Sequence, residues 1–170
     1  PLPPSLLPPP PPELQAGRLD LGIVRPPIDA QGLATETLLT EELVAVVPEL
    51  SSLGKRTITA EDLAGEPLVM LAREVVPGLY DQILELRRTQ AAGGPIAQEA
   101  TSIQAVLGLV AAGLGIAVLP GSVQGLSREG IAFAAIRPSQ PTMMVAAWRR
   151  DASSALIDAF LAAVRSADGR

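Results

Sequence analysis

Hydrophobic residues near position 110 recur with the spacing of one helical face. They lie three, four, seven, eight and eleven residues after the first, so they share one side of a helix. These positions are Ile103, Val106, Leu107, Val110, Ala111 and Leu114. Thr101 or Ser102 can cap this helix, and Gly113 suits its left-handed end. The apolar run 116–119 then predicts a buried strand, which completes a strand–helix–strand unit.

The rest of the chain from Glu13 onward alternates in the same way between short strands and helices. Predicted strands cover residues 19–24, 33–47, 68–71, 95–98, 131–136 and 142–148. Predicted helices are a short one opened by a capping box from Thr59 to Asp62, one at 78–90 stopped by Gly93 and Gly94, and one after Ser153 or Ser154. The second would be buried through Leu79, Ile83 and Leu86, and the third through Leu156, Ile157, Phe160, Leu161 and Val164. This alternation predicts an α/β fold with largely parallel sheets.

Residues 1–12, PLPPSLLPPPPP, differ from everything that follows, because they contain eight of the 17 prolines. Proline lacks an amide donor and has a fixed φ, so this segment predicts a polyproline II arm instead of a central strand or a helix interior. A ligand tail for a proline-binding domain is one alternative. A deletion or a wrongly assigned stretch of sequence is another.

Composition favours a binding protein over an enzyme. The chain has 170 residues, enough for one domain or two small lobes, and 48% of them are hydrophobic. The net charge of −5 opposes contact with a phosphate backbone, and the 2% aromatic content opposes base stacking. Without histidine or cysteine, the chain lacks Ser-His-Asp chemistry, thiol nucleophiles and the commonest zinc ligands. We therefore expect no catalysis, no metal and no cofactor.

Localisation is predicted from two further absences. No apolar run reaches the ~20 residues that a membrane helix needs. The N-terminal residues also lack the basic and then apolar pattern of a signal peptide. The sequence therefore predicts a cytoplasmic protein with no membrane partner.

Six strings in a fixed order carry a resemblance to a known family. They are LDLGIVRPP at 19–27, LLTEELVAVVP at 38–48, ITAEDLAGEPLVML at 58–71, VPGLYDQILEL at 76–86, QEATSIQAVLGLVAAGLGIAVLP at 98–120 and VAAWRRD at 145–151. From about Glu13 to the C-terminus, the chain resembles the effector-binding domain of LysR-type bacterial transcription regulators. The LVAAGLG helix and the PGLYD turn are most similar to the branch that senses aromatic catabolites.

The resemblance implies a periplasmic-binding-protein-like fold of type 2, in which two α/β lobes are joined by two crossover strands around a ligand cleft. The first lobe would be residues 13–43 with 139–170, and the second 44–138, with crossings near 41–44 and 137–141. The segment 1–12 would replace the family's first strand, first helix and second strand, which leaves the first lobe incomplete. The family also implies a dimer or tetramer that contacts DNA only through a winged helix-turn-helix domain absent from this chain.

The implied function is binding of a small organic effector, expected to be a carboxylate, that controls transcription. Thr101 and Ser102 are the leading site candidates, since a hydroxyl and free amides at a helix start can hold an anion. A simple helix cap is the compatible alternative. Arg25, with Pro26, and Arg73 follow predicted strands at the expected cleft, where a guanidinium can bind a carboxylate through two hydrogen bonds. Exposed loop arginines are the alternative there.

Two more candidates come from the resemblance. Pro77 begins the PGLYD turn, whose counterpart lines the family's cleft, although proline is also common in the first turn of a helix. Glu36 matches a position from which the first lobe of the family approaches the ligand. Because its carboxylate would repel an anionic ligand, we favour the interpretation that Glu36 lies on a solvated strand face. Asp81 and Glu85 are interpreted as solvated helix surface.

Two other functions are alternatives to this one. A solute-binding protein of a transport system would share the fold, but it would normally carry a signal peptide or a lipid-anchor cysteine, and neither is visible. An enzyme on this fold, such as a dehydratase or deaminase, would have only carboxylates, hydroxyls and the single lysine, Lys55. The upstream coding sequence would distinguish a regulator from a solute-binding protein. A helix-turn-helix region would indicate the regulator, and a signal peptide would indicate the solute-binding protein.

Overall fold

The computed structural model describes residues 11–88, 94–138, 140–152 and 154–167. In these residues, helices and strands alternate along the chain as the sequence predicts. They are α1 (Pro11–Gln15), β1 (Leu21–Val24), β2 (Leu33–Pro48), β3 (Ile58–Thr59), α2 (Ala60–Ala64), β4 (Leu68–Leu71), α3 (Pro77–Arg88), β5 (Ile96–Ala100), α4 (Ile103–Ala111), β6 (Ala117–Pro120), β7 (Ile131–Arg137), β8 (Pro141–Arg149) and α5 (Ala155–Ala167). Short 3-10 helices cover Ser52–Lys55 and Gly121–Leu126. The predicted α/β class is confirmed.

The chain divides into two compact units. The first takes its described residues from Pro1–Thr40 and Met143–Arg170, and the second is Glu41–Thr142. The chain therefore passes from one unit to the other within β2 and again within β8. The boundaries predicted at 43/44 and 138/139 lie a few residues from these divisions, and the assignment of the units as lobes of an effector-binding domain stays a prediction at this point.

The first unit is organised around the antiparallel pair β1–β8, in which Val24 lies opposite Val145. Successive residues of a strand face opposite sides, so β8 serves two clusters. One cluster contains Leu14, Val24, Leu33, Val145 and Ala147; the other contains Ala146, Ile157 and Leu161, with Trp148 and Phe160 packed against it. One face of β8 therefore shares a cluster with α1 and the other with α5.

Two predictions for the first unit are wrong. The sequence places Leu156 on the buried face of α5, whereas this side chain is 76% exposed. Ile157 and Leu161, four residues apart, define the buried face, and Leu156 lies beside it. The sequence also treats Pro11 and Pro12 as part of a polyproline arm, but they open α1. Proline fits there because the first helical positions need no amide donor. Residues 1–10 lie outside the described residues.

The second unit contains the parallel pair β4–β5, in which Leu71 lies opposite Ala100. On the other side of β4, Ile116 bridges to Leu68 in the parallel direction, just before β6. The predicted strand–helix–strand unit β5–α4–β6 is therefore present, with β4 between its two strands. The second half of β2 pairs antiparallel with both β6 and β7, and β3 runs parallel to β7. With β1–β8 also antiparallel, the sheets are mixed, so the prediction of largely parallel sheets is wrong.

Helix α4 is buried through Val106, Leu107 and Val110, as the spacing predicts. Its end is also as predicted, because Gly113 has a φ of +80°, where a side chain would be strained. Leu114 lies beyond this end and is 41% exposed, so its inclusion in the buried stripe is wrong. At Gly115 the chain passes so close to the carbonyl oxygen of Pro67 that a Cβ atom would not fit.

Helix α3 begins at Pro77, and Leu79, Ile83 and Leu86 are buried as predicted. Residues 89–93 are not described, so the predicted end near residue 90 and the stop at Gly93 fall outside the described chain. None of the described helices is both long enough and apolar enough to span a bilayer.

Candidate functional site

Four of the predicted site residues lie at one edge of the second unit. Arg73 follows β4, Pro77 opens α3 a few residues later, and Thr101 and Ser102 follow β5. The Ala72 amide donates to the Ala100 carbonyl at 2.9 Å, so the two strands end side by side. This parallel pairing places the segment after β4 beside the start of α4.

Ser102 is the N-cap of α4. Its Oγ accepts a hydrogen bond from the Ala105 amide at 3.2 Å, and its carbonyl accepts one from the Val106 amide at 3.1 Å. The amides of Ile103 and Gln104 lie in the first turn, where helix geometry supplies no acceptor. Thr101 is exposed, and no residue in the described parts of the chain hydrogen-bonds to its hydroxyl. The helix start therefore offers donors together with the positive end of the helix dipole.

Arg73 forms a two-point salt bridge with Asp81 of α3. Its Nε donates to Asp81 Oδ1 and its Nη2 to Oδ2, both at 2.9 Å. The side chains are 64% and 43% exposed. The hydrogen bonds from Arg73 lower the pKa of Asp81 below its usual value, and Asp81 raises the pKa of Arg73. Asp81 is thus on the exposed surface of α3, as interpreted from the sequence, and its ion pair with Arg73 is an addition that the sequence did not predict.

Tyr80, the neighbour of Asp81, connects α3 to β5. Its hydroxyl donates to Glu99 Oε1 at 2.8 Å, and this bond is the main reason why the pKa of Tyr80 is raised above its usual 10. Glu99 lies two residues before Thr101, and the exposed Glu74 directly follows Arg73. Sequence reasoning missed these acidic residues, although the position of Glu99 two residues before Thr101, directly after a predicted strand, was a usable signal.

The remaining candidates belong to the first unit. Arg25 and Pro26 follow β1, as predicted, and are half-buried. Glu36 of β2 accepts hydrogen bonds from Arg165 of α5, with Oε1 2.7 Å from Nε. This contact lowers the pKa of Glu36. The Glu36 carboxylate is thus bound within its own unit by a surface ion pair, which the sequence did not predict.

The groups at the start of α4 and at Arg73 are hydroxyl, amide and guanidinium donors, which suit a carboxylate. In the described parts of the chain, no three His, Cys, Asp or Glu side chains are arranged to hold a metal ion. This edge therefore combines exposed hydrogen-bond donors with neighbouring carboxylates.

Known proteins show similarity over most of the chain. The HTH-type transcriptional regulator AlsR of Bacillus subtilis is 34% identical over 151 residues, which are 88% of this chain and 50% of AlsR. The HTH-type transcriptional regulator IlvR of Caulobacter vibrioides is 35% identical over 156 residues, or 88% of this chain and 51% of IlvR. The chain thus spans about half the length of these relatives.

The fold has solved counterparts. The BenM effector binding domain with its effector benzoate superposes with a TM-score of 0.78 at 23% identity, covering 91% of this chain and 71% of that one. This likeness confirms the predicted type 2 periplasmic-binding-protein-like α/β fold. Residues 10–169 match the family described as LysR substrate binding domain. On this match, the chain belongs to the LysR substrate-binding domain family.

Proposed function

We propose that this chain is the ligand-sensing domain of a LysR-type transcription regulator, and that it binds a small organic carboxylate at the start of α4. The family supports the sensing role, because AlsR and IlvR are named as HTH-type transcriptional regulators. The observation that carries the binding site is the Ser102-capped helix start lying beside the end of β4. The role is one of binding and not of catalysis.

The chemistry of this edge needs no titrating group. The amides of the first turn of α4 and the positive end of its dipole attract an anion, and the Thr101 hydroxyl adds a donor. Arg73 supplies a guanidinium nearby. Each charge-assisted hydrogen bond to a carboxylate is worth ~1.5–3 kcal/mol. Two or three such bonds suffice for an effector of modest affinity.

For the effector we propose a carboxylate of about the size of benzoate, with an aromatic compound as the first class to test. The sequence resemblance to the aromatic-sensing branch and the BenM structure with benzoate support this choice. Pro77 lies at the same edge and remains a proposed effector contact. Arg25, Pro26 and Glu36, in the first unit, remain predictions that rest on the resemblance, and Glu36 would have to act while bound to Arg165.

In the whole regulator, the effector signal would reach DNA through a separate helix-turn-helix domain in a dimer or tetramer. Such coupling requires the effector to bind two states of the protein with different affinity. Because a regulator of transcription acts on chromosomal DNA, this role also implies a cytoplasmic location.

The test uses two variants of Ser102 that differ in charge. Asp and Asn both cap helices well, so Ser102→Asp and Ser102→Asn should both keep α4 intact. Only Ser102→Asp places a negative charge where the carboxylate should lie. By calorimetry with benzoate, we expect Ser102→Asp to bind at least about tenfold more weakly than Ser102→Asn, the loss of one charge-assisted bond.

Thermal unfolding of both variants is the control for folding. Thr101→Val, which removes a hydroxyl with little change in shape, should also weaken benzoate binding, whereas Thr57→Val should not, because Thr57 is an exposed threonine elsewhere in the second unit. Equal affinity of Ser102→Asp and Ser102→Asn for benzoate would remove the start of α4 as the site.

A further inference from the structure

We propose that Asp81 determines the charge class of the effector, so that the site prefers monocarboxylates to dicarboxylates. This inference rests on the proposed function, because it concerns the same edge of the second unit. It adds a specificity-determining residue that does not itself bind the carboxylate.

Arg73 is the guanidinium at this edge, and its charge already has a counterion. Asp81 accepts from Nε and from Nη2, both at 2.9 Å, which leaves the Nη1 side of the guanidinium for a ligand. A carboxylate bound there would therefore lie close to the Asp81 carboxylate as well as to Arg73. Asp81 orients the guanidinium and at the same time opposes a second negative charge.

Glu99 lies in the same electrostatic neighbourhood. Glu99 and Asp81 both raise the pKa of the Tyr80 hydroxyl, whereas Arg73 lowers it. Tyr80 is bonded to Glu99 at 2.8 Å, and Glu99 precedes the start of α4 by only a few residues. Carboxylates therefore lie after both strand ends: Asp81 is bound to Arg73, which follows β4, and Glu99 lies at the end of β5, just before the start of α4.

A ligand with one carboxylate can place it against the amides of α4 and Arg73. A second carboxylate on the same ligand would meet Asp81 and Glu99. At this edge, in the described part of the chain, the positive charge of Arg73 is accompanied by three carboxylates, those of Glu74, Asp81 and Glu99. For exposed charges a few ångströms apart, such repulsion corresponds to a change of about threefold to tenfold in affinity.

The experiment measures the ratio of the affinities for two ligands that differ in charge. A variant that weakens the binding of both ligands equally leaves this ratio unchanged, so the ratio reports the effect of charge. Benzoate and phthalate, which differ by one carboxylate, are titrated by calorimetry into the wild-type chain, Asp81→Asn, Asp81→Glu and Glu85→Gln. Glu85 is one turn further along α3 and contacts Arg88 at 3.4 Å, so its variant removes the same charge from the same helix. We expect Asp81→Asn to raise the affinity for phthalate relative to benzoate by about threefold to tenfold at low salt.

Asp81→Glu, which keeps the charge, and Glu85→Gln should both retain the wild-type ratio. The change in the affinity ratio caused by Asp81→Asn should become smaller at about 0.5 M salt, because salt screens exposed charges. A purely structural effect would not depend on salt in this way. If the wild-type chain binds benzoate and Asp81→Asn leaves the ratio unchanged, the inference is wrong and the proposed function stands. If none of the four proteins binds either compound, both are wrong.

Discussion

Arg87 and Arg88 are adjacent at the end of α3 and have opposite surroundings. Arg87 is 5% exposed, and its Nη2 donates to the carbonyl oxygens of Ala64, Glu66 and Gly94 at 3.1, 3.2 and 2.9 Å. Burial lowers the pKa of its guanidinium. The Arg88 side chain is 79% exposed. Arg87 thereby ties the end of α2 to the segment that leads into β5.

We expect Arg87→Met to lower the free energy of unfolding by about 1–3 kcal/mol, because it keeps an apolar stem but removes the guanidinium donor from the half-buried carbonyl groups of Glu66 and Gly94. The Ala64 carbonyl keeps its hydrogen bond from the Gly94 amide. Arg88→Met is the matched control and should change the free energy of unfolding by less than about 0.5 kcal/mol. Urea unfolding followed by circular dichroism measures both. Equal destabilisation by the two variants would show that the carbonyl contacts of Arg87 contribute nothing.

Single residues were predictable from the sequence where a local rule fixes their place. Ser102 and Arg73 follow strands, and their positions come from the strand pattern. Asp81 was not identified as the partner of Arg73, because the seven residues between them include a turn whose path the sequence does not give. Arg87 was missed for a related reason: its burial depends on which side of α3 faces α2.

Among the helices and strands, those with two independent local signals were predicted well. Helix α2 has its capping box at Thr59 and Asp62, and α4 has both an apolar stripe and Gly113. Errors occurred where the apolar spacing was followed too far, at Leu114, which lies beyond the Gly113 stop, and at Leu156, which lies beside the buried face of α5. A regular spacing identifies the buried face of a helix to within about one position, but it does not say where the helix ends.

The capping box of α2 should make stability depend on pH. The Thr59 amide donates to Asp62 Oδ2 at 2.8 Å, and Arg56 Nη1 donates to the same oxygen at 2.9 Å. These bonds, chiefly those from Arg56, lower the pKa of Asp62 well below its usual 3.8. Because the folded pKa is lower than the unfolded one, the stabilisation is complete above about pH 5 and is lost as pH falls toward the folded pKa.

We therefore expect Asp62→Asn to lower the free energy of unfolding by about 0.5–1.5 kcal/mol near pH 7, the usual contribution of a helix cap. The difference from wild type should narrow below about pH 4, as Asp62 becomes protonated in the unfolded chain. Unfolding curves at several pH values measure this, with the neighbouring exposed Glu61→Gln as control. A difference that stays constant down to about pH 2 would contradict the assigned role of the ionised carboxylate.

At the scale of the whole molecule, the division into units was predicted only through the family resemblance. Alternating strands and helices indicate an α/β class, but they do not say that β2 and β8 each contribute to both units. That information lies in the order of six strings along the chain, such as LDLGIVRPP before the crossing and VAAWRRD after it. Physical patterns alone would have fitted a single sheet equally well.

The net charge of −5 leads to a prediction for the whole chain. We expect these 170 residues to show no binding to duplex DNA at about 0.15 M salt, because affinity for a phosphate backbone depends on cationic contacts that release counterions. A mobility-shift assay with a random duplex, repeated at about 0.05 M salt where electrostatic binding is strongest, measures this. Retardation by this chain alone would contradict a regulator whose DNA contacts lie in a separate domain.

The first unit is built from two separate stretches of the chain, and this affects the order in which the two units fold during synthesis. In the antiparallel pair β1–β8, Leu21 lies opposite Trp148, so β1 leaves the ribosome long before its partner exists. The second unit, Glu41–Thr142, is by contrast one continuous stretch and is complete before Met143 is added. Contacts between distant residues form late because closing a long loop costs entropy. We therefore expect the second unit of the nascent chain to fold first. Until β8 is available, β1 stays unpaired and is accessible to chaperones.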